Sequence, residues 1–355
     1  MATPGRGVDA SVTGVPAGVH PVDEGVLRIP VPTPFAVGVV NVYLILGRVP
    51  TLVDVGPGGR RGREALEAGL SAAGLGWDDI AQVVITHTHA DHMGLLRHWP
   101  GTRRPAVVGH RWGARHFRGG DDPERVRFFQ GFVRSAGVPA DVAGGLLQGL
   151  AALMAAEPAV SVARWLEDGD ELTMGDDPWL VLHTPGHAQS QVCLYREQDG
   201  LLISSDHLLP TISSNALLEP APLDERGRPL RPEPPRSLVD YRRSLRRVRP
   251  LPARRCLPGH GDPFGGHREL IERRLADMER RARQIRDVLA ARGGRSTLYR
   301  LAVDLFGSGD AGHLLLALSE VQGHVAWMES EGWVRCRPEP GGSGVLMVTA
   351  AGGAG

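Results

Sequence analysis

Thr86-His87-Thr88-His89-Ala90-Asp91-His92 follows the apolar run Val83-Val84-Ile85 and leads into Met93-Gly94-Leu95-Leu96. A buried strand therefore ends in three imidazoles and one carboxylate, with a helix just behind them. His87 and His89 lie two apart on a nearly extended chain, so both rings can point the same way. Asp91 and His92 fall on the turn into the helix and point elsewhere. Two faces of ligand atoms predict two metal ions.

Three later strands stop in the same manner. Residues 179–182 run into His183-Thr184-Pro185-Gly186-His187, where a Pro-Gly turn of restricted geometry presents a histidine. Residues 201–204 end at Ser205-Asp206-His207, and residues 255–257 at Pro258-Gly259-His260-Gly261-Asp262. The set His87, His89, His92, His187, His260, Asp91 and Asp206 is large enough for two ions with open coordination positions. Nitrogen and oxygen donors without thiolate suit divalent zinc, iron and manganese alike.

Upstream, residues 26–31, 37–46 and 51–55 read as strands. Asp54 interrupts the last of these, and a carboxylate in a buried strand is costly unless something meets it. It is expected beside the metal histidines. Residues 63–73 read as a helix covering the sheet, and residues 93–98 as the helix behind the cluster. His98, His110 and His116 are expected to be surface or satisfied core groups. Residues 121–157 form a helical insertion carrying Phe128, Phe129, Phe132, Leu146, Leu147, Leu150, Leu153 and Met154. These side chains either make a small core of their own or wall an apolar pocket.

At 355 residues, with 40 basic and 40 acidic side chains, the chain can bury a full core and has no net charge to select a partner. Cys193, Cys256 and Cys336 are scattered, with no Cys-x-x-Cys pair, which fits reduced thiols rather than a structural zinc site. The first 18 residues lack a signal-peptide core, and no run of about twenty apolar residues occurs. A cytoplasmic protein without a membrane partner is expected.

These residues resemble the metallo-β-lactamase superfamily, whose His-x-His-x-Asp-His signature is matched by His87, His89, Asp91 and His92. The resemblance implies an α/β fold, an αββα four-layer sandwich with the metals at the sheet edges. It implies one metal on His87, His89 and His187, another on Asp91, His92 and His260, and Asp206 bridging. Flavodiiron oxygen reductases carry Glu where this chain has His89, which disfavours dioxygen chemistry. The remainder is similar to the glyoxalase II group, although the usual glutathione-binding tail is not recognisable.

The expected organisation is a flexible lead at 1–24, a catalytic domain at 25–265, a linking helix at 266–292 and a small C-terminal domain at 293–355. The linking helix offers Glu269/Arg273, Asp277/Arg281 and Glu279/Arg283 at i,i+4 spacing. Beyond it, helices at 296–306, 313–318 and 319–331 and a hairpin at 333–337 with 345–349 resemble a winged helix-turn-helix. Ser319 and Gln322 would form a capping box for the third helix. A reader of nucleic acid needs positive charge, yet residues 304–334 hold no Arg or Lys. DNA binding is not expected, and the tail is assigned to packing, pocket closure or homodimerisation.

The expected reaction is hydrolysis of a thioester, ester or lactone of a small-molecule acyl substrate by a metal-bound hydroxide. Asp91 and Asp206 hold the ions, Asp54 and His183 orient ligands from behind, and His207 either contacts the developing oxyanion or faces away from it. The alternatives are a metal-dependent phosphodiesterase or endoribonuclease acting on RNA, and a non-catalytic metal-bound regulator.

Overall fold

The computed structural model describes residues 18–120, 122–224, 226–231 and 235–351. Most of the expected N-terminal lead, the first residue of the insertion and part of the Pro-rich loop lie outside the described residues.

The first sheet takes its strands in chain order: His20–Asp23 (β1), Val26–Pro32 (β2), Val39–Ile45 (β3), Thr51–Val53 (β4), Gln82–Ile85 (β5), Ala106–His110 (β6) and Arg164–Leu166 (β7). Pairing is antiparallel from β1 to β4 and parallel from β4 to β7. The second sheet contains Glu171–Met174 (β8), Asp177–His183 (β9), Val192–Arg196 (β10), Leu201–Ser205 (β11) and Arg255–Pro258 (β12), in reverse chain order.

Alternation along the strands sorts the side chains into layers. Tyr43, Val53, Val84 and Val108 of the first sheet meet Trp179, Val181, Leu194 and Ile203 of the second in the central core. Their neighbours Val42, Leu44, Leu52 and Val83 point outward against Leu66 and Leu70 of helix Arg60–Ala72 (α1). This is the expected αββα sandwich.

The remaining helices are Ala90–Met93 (α2), Ala114–Phe117 (α3), Pro123–Ser135 (α4), Ala140–Ala155 (α5), Ser237–Val248 (α6), His267–Ala291 (α7), Leu298–Phe306 (α8) and Ala311–Ser330 (α9). Leu182, Tyr195, Leu202 and Cys256 on the outer face of the second sheet share one apolar core with Tyr241 and Leu245 of α6, Ile285 of α7 and Leu318 of α9. Phe129, Phe132, Leu146 and Leu150 of the insertion belong to that same core, not to a separate one.

The C-terminal reading needs correction. Residues 313–330 do not form two helices but fall within the single helix α9, capped by Asp310, which accepts from His313 N at 2.8 Å. Ser319 lies buried in mid-helix, where its Oγ meets Leu218 N at 3.4 Å, so a tertiary partner uses the supposed capping group. The expected hairpin is present as Val334–Pro338 (β14) and Leu346–Ala350 (β15), joined by an unforeseen strand, Arg295–Thr297 (β13), in the order β13-β15-β14. The i,i+4 pairs foreseen on α7 are absent among the described residues. Asp277 pairs with Arg280, Glu279 reaches Arg242 at 3.7 Å, and Arg281 lies over the Phe306 ring at 4.6 Å. No single helix among the described residues is long and apolar enough to cross a membrane.

The insertion is tied down by a buried ion network. Glu157 accepts from both terminal nitrogens of Arg125 at 2.6 and 2.9 Å and lies 3.2 Å from His116 Nδ1. Burial alone would raise its carboxyl, but His116 and Arg125 outweigh that and bring it from 4.5 to about 2. The unfolded chain takes up this proton first, so the stabilisation is complete above pH 4.5 and is lost as pH falls to about 2. Glu157→Gln is expected to lower the unfolding free energy at neutral pH by about 3 kcal/mol and to flatten its acid-side slope. Urea titrations at pH 7 and at pH 3 check this; equal losses at both would contradict it.

Candidate metal centre

All the cluster residues leave the sandwich at one edge. β9 and β11 both run antiparallel to β10, and β12 runs parallel to β11, so these three strands end together. Val192 N donates to Thr86 O at 2.9 Å, bringing the end of β5 to the same edge. Asp54 and Ser205 are the non-glycine residues of positive φ (61° and 44°) among those described, and both stand at strand ends on this edge.

The helix behind the signature starts earlier than its apolar residues indicate. Asp91 and His92 sit inside α2, with His89 as its N-cap. Ligand atoms of His87, His89 and His187 lie within 4.8 Å of one another, as do those of His87, His92 and Asp206, and those of Asp91, His92 and His260. Asp206 is the hub. One of its oxygens stands 3.5 Å from His92 Nε2, and the other 3.5 Å from His187 Nε2 and 3.4 Å from His260 Nε2. Asp91 Oδ2 approaches His260 Nε2 at 3.5 Å.

Each of three rings is fixed through the nitrogen that faces away from the cluster. His92 Nδ1 bonds Asp54 Oδ2 at 2.8 Å, His187 Nδ1 bonds Asn215 O at 2.8 Å, and His260 Nδ1 bonds Val39 O at 2.6 Å. Asp54 also accepts from Thr86 N and Thr86 Oγ1, both at 2.8 Å, so it is locked between two strand ends. His87 Nε2, His92 Nε2 and Asp206 Oδ1 are buried without a hydrogen-bond partner. Buried polar atoms left unpaired are costly, and a cation at this point would satisfy them.

Protonation tells the same story. Burial, with His92 and His89 nearby, holds His87 well below the usual imidazole range, and burial with His89 brings His187 to about 4. These are neutral rings ready to ligate. Burial opposes charge on His92 and His260, but carboxylates outweigh it: Asp206, Asp54 and Asp91 hold His92 well above its ordinary value, and Asp206 and Asp91 raise His260 to about 9. Asp206 itself is held well below the carboxylate range by His92 and His260 against the pull of burial. These three carboxylates favour protons on the two rings, and a divalent ion is the alternative counter-charge.

Two sequence expectations do not join the cluster. His183 does not stand behind a ligand: it bonds Gln189 O through Nε2 at 2.8 Å and stacks on His110 with ring centroids 3.7 Å apart. His207 lies outside the three donor groups, fully buried and edge-on to Tyr241 at 5.5 Å. His98 is exposed, His110 accepts from Trp112 N, and His116 meets Glu157.

Sequence reading missed Glu219. Buried behind the cluster, it accepts from Gln189 N at 2.6 Å and places Oε1 3.8 Å from His89 Nε2. A lone acid after the run Ala216-Leu217-Leu218 was the available signal. It missed Asn41 and Tyr43 as well, whose side chains hold Pro258 O at 2.9 and 2.7 Å and so fix the turn that carries His260.

Residues 36–260 match the metallo-beta-lactamase superfamily, a span holding the signature and every clustered ligand. The chain belongs to that family. It is 36% identical over 314 residues to the probable metallo-hydrolase YqjP of Bacillus subtilis, covering 87% of this chain and 93% of that one. The acyl-coenzyme A thioesterase MBLAC2 of Gallus gallus is 28% identical over 236 residues, 64% of this chain and 74% of its own. Among solved structures, the metallo-beta-lactamase family protein TTHA1429 of Thermus thermophilus superposes with a TM-score of 0.74 at 27% identity, covering 93% of this chain and 100% of that chain. This superfamily member is thus a metal-dependent hydrolase.

Proposed function

We propose that this superfamily member hydrolyses acyl thioesters of the acyl-coenzyme A class at a pair of divalent cations. The observation that carries the reading is Asp206, placed within 3.5 Å of ligand nitrogens of His92, His187 and His260. His87, His89 and His187 would hold one cation and Asp91, His92 and His260 the other, with Asp206 between them; zinc is the first candidate. Bound there, the ions supply Lewis acidity and lower the pKa of water from 15.7 to roughly 7.

The protein's own share is positioning. Asp54 fixes the His92 ring, Glu219 stands behind His89, and the main-chain carbonyls of Asn215 and Val39 orient His187 and His260. Such partners typically change metal affinity or activity 10–100-fold. Asp54→Ala is therefore expected to weaken metal retention and to reduce kcat/KM by roughly 10–100-fold. Metal analysis after dialysis and steady-state kinetics check this, and unchanged values for both would remove Asp54 from the role.

The thioester preference rests on the similarity to MBLAC2 and on the tail. α9 carries no Arg or Lys, and Leu314, Leu318, Val321, Val325 and Met328 are buried in the shared core, a poor surface for phosphate backbones. Metal-replete protein offered acyl-coenzyme A thioesters, lactones, bis-p-nitrophenyl phosphate and a short RNA is expected to cleave the thioesters. Cleavage of the RNA or the phosphodiester alone would overturn the reading.

A further inference from the structure

A cleft of about 540 Å³ opens beside the metal edge, walled by Trp112 on one side and by α6 on the other. Its position follows from the strands. β6 runs parallel to β5, so His110 and Trp112 emerge at the edge where His87 emerges, and the wall residue Pro185 lies in the turn that delivers His187. A relay of contacts joins the two sites: Arg231 in the cleft reaches Gln189 Oε1 at 3.4 Å, Gln189 N donates to Glu219, and Glu219 stands behind His89.

The lining combines a flat aromatic surface with guanidinium groups. Trp112 stands against His183, with ring centroids 4.6 Å apart, and Arg231 lies 5.8 Å over its ring. Helix α6 points Asp240, Arg243 and Arg247 into the cleft from one face, at i, i+3 and i+7. Arg231 is paired with Asp240 and Arg247 with Asp168, each at 2.7 Å. Arg243 differs. Its side chain is 78% exposed, and its nearest carboxylate among the described residues is Asp240 at 4.0 Å. Burial lowers His183 to about 4 and His110 to about 2, so the charge facing the cleft at neutral pH comes from three guanidinium and two carboxylate groups.

We propose that this cleft takes the phosphorylated adenosine end of the coenzyme A thioester whose acyl carbon reaches the metal centre, the purine lying against Trp112 and the phosphates meeting Arg243. This rests on the thioester reading above. Purine stacking on an aromatic ring and charge-assisted bonds from arginine to phosphate are the two interactions the lining supplies, and neither serves a bare acyl chain.

The test compares an acyl-coenzyme A with the same acyl group on N-acetylcysteamine, which lacks the nucleotide. The ratio of their kcat/KM values is expected to fall about tenfold in Arg243→Glu and by a similar factor in Trp112→Ala. Calorimetric titration with adenosine 3′,5′-bisphosphate is expected to show binding to the unmodified protein and loss in Arg243→Glu. An unchanged ratio in both variants, or equal binding of the bisphosphate by the Arg243→Glu protein, would overturn the assignment. Should no thioester be cleaved, the thioester reading fails, and the bisphosphate titration alone decides the cleft.

Discussion

Asp206→Asn is expected to deprive the purified protein of the proposed cation pair and to lower kcat/KM for thioesters by at least about a thousandfold, because the Lewis-acid contribution at stake is several kcal/mol. The substitution keeps the shape of the side chain and removes the charge that stands between three rings. The fold should survive, since Ser214 Oγ donates to the main-chain oxygen of residue 206 and not to its carboxylate. Elemental analysis, thermal unfolding and kinetics on one preparation separate these effects. A variant with normal metal content and turnover would show that Asp206 is no bridge.

The convergence of distant loops was legible because each residue of the cluster sits where an apolar run stops. A strand ending in His, Asp or a Gly-flanked His is visible locally, and Asp54 betrayed itself as a charge directly after the apolar pair Leu52-Val53. Glu219 was not legible in this way: it lies in a Pro-rich stretch without periodicity, and its purpose exists only through Gln189 and His89, thirty and more residues away. His207 was legible only as two alternatives, and its ring packs against Tyr241 rather than joining the three donor groups. The tail failed for a third reason. Ser319 has the look of a helix start, yet a polar side chain in mid-helix can be satisfied by a neighbouring segment, here Leu218 N. Local propensity carried the hairpin and tertiary packing carried α9.

Gly259→Ala is expected to disable the site almost as completely as the loss of Asp206, without replacing any proposed ligand. A Cβ at this position would overlap Asp206 Oδ1 and come within 3.0 Å of His92 Cε1. Neither side can give way cheaply. Gly259 O accepts from Asn41 N at 2.7 Å, and Pro258 O is held by both Asn41 and Tyr43, so the turn is pinned to β3. Asp206 and His92 are buried, and His92 is held from behind by Asp54. The added methyl must therefore displace the carboxylate from the rings it serves, at a stability cost on the order of 1–3 kcal/mol for overpacking and a much larger loss of metal and activity. Gly265→Ala, six residues on in the same loop, is the control: its Cβ would meet only Arg254 O at 3.6 Å, an ordinary contact, so metal content and rate should stay near normal. If the two variants behave alike, the cradle between β11 and β12 is not what sets the position of Asp206.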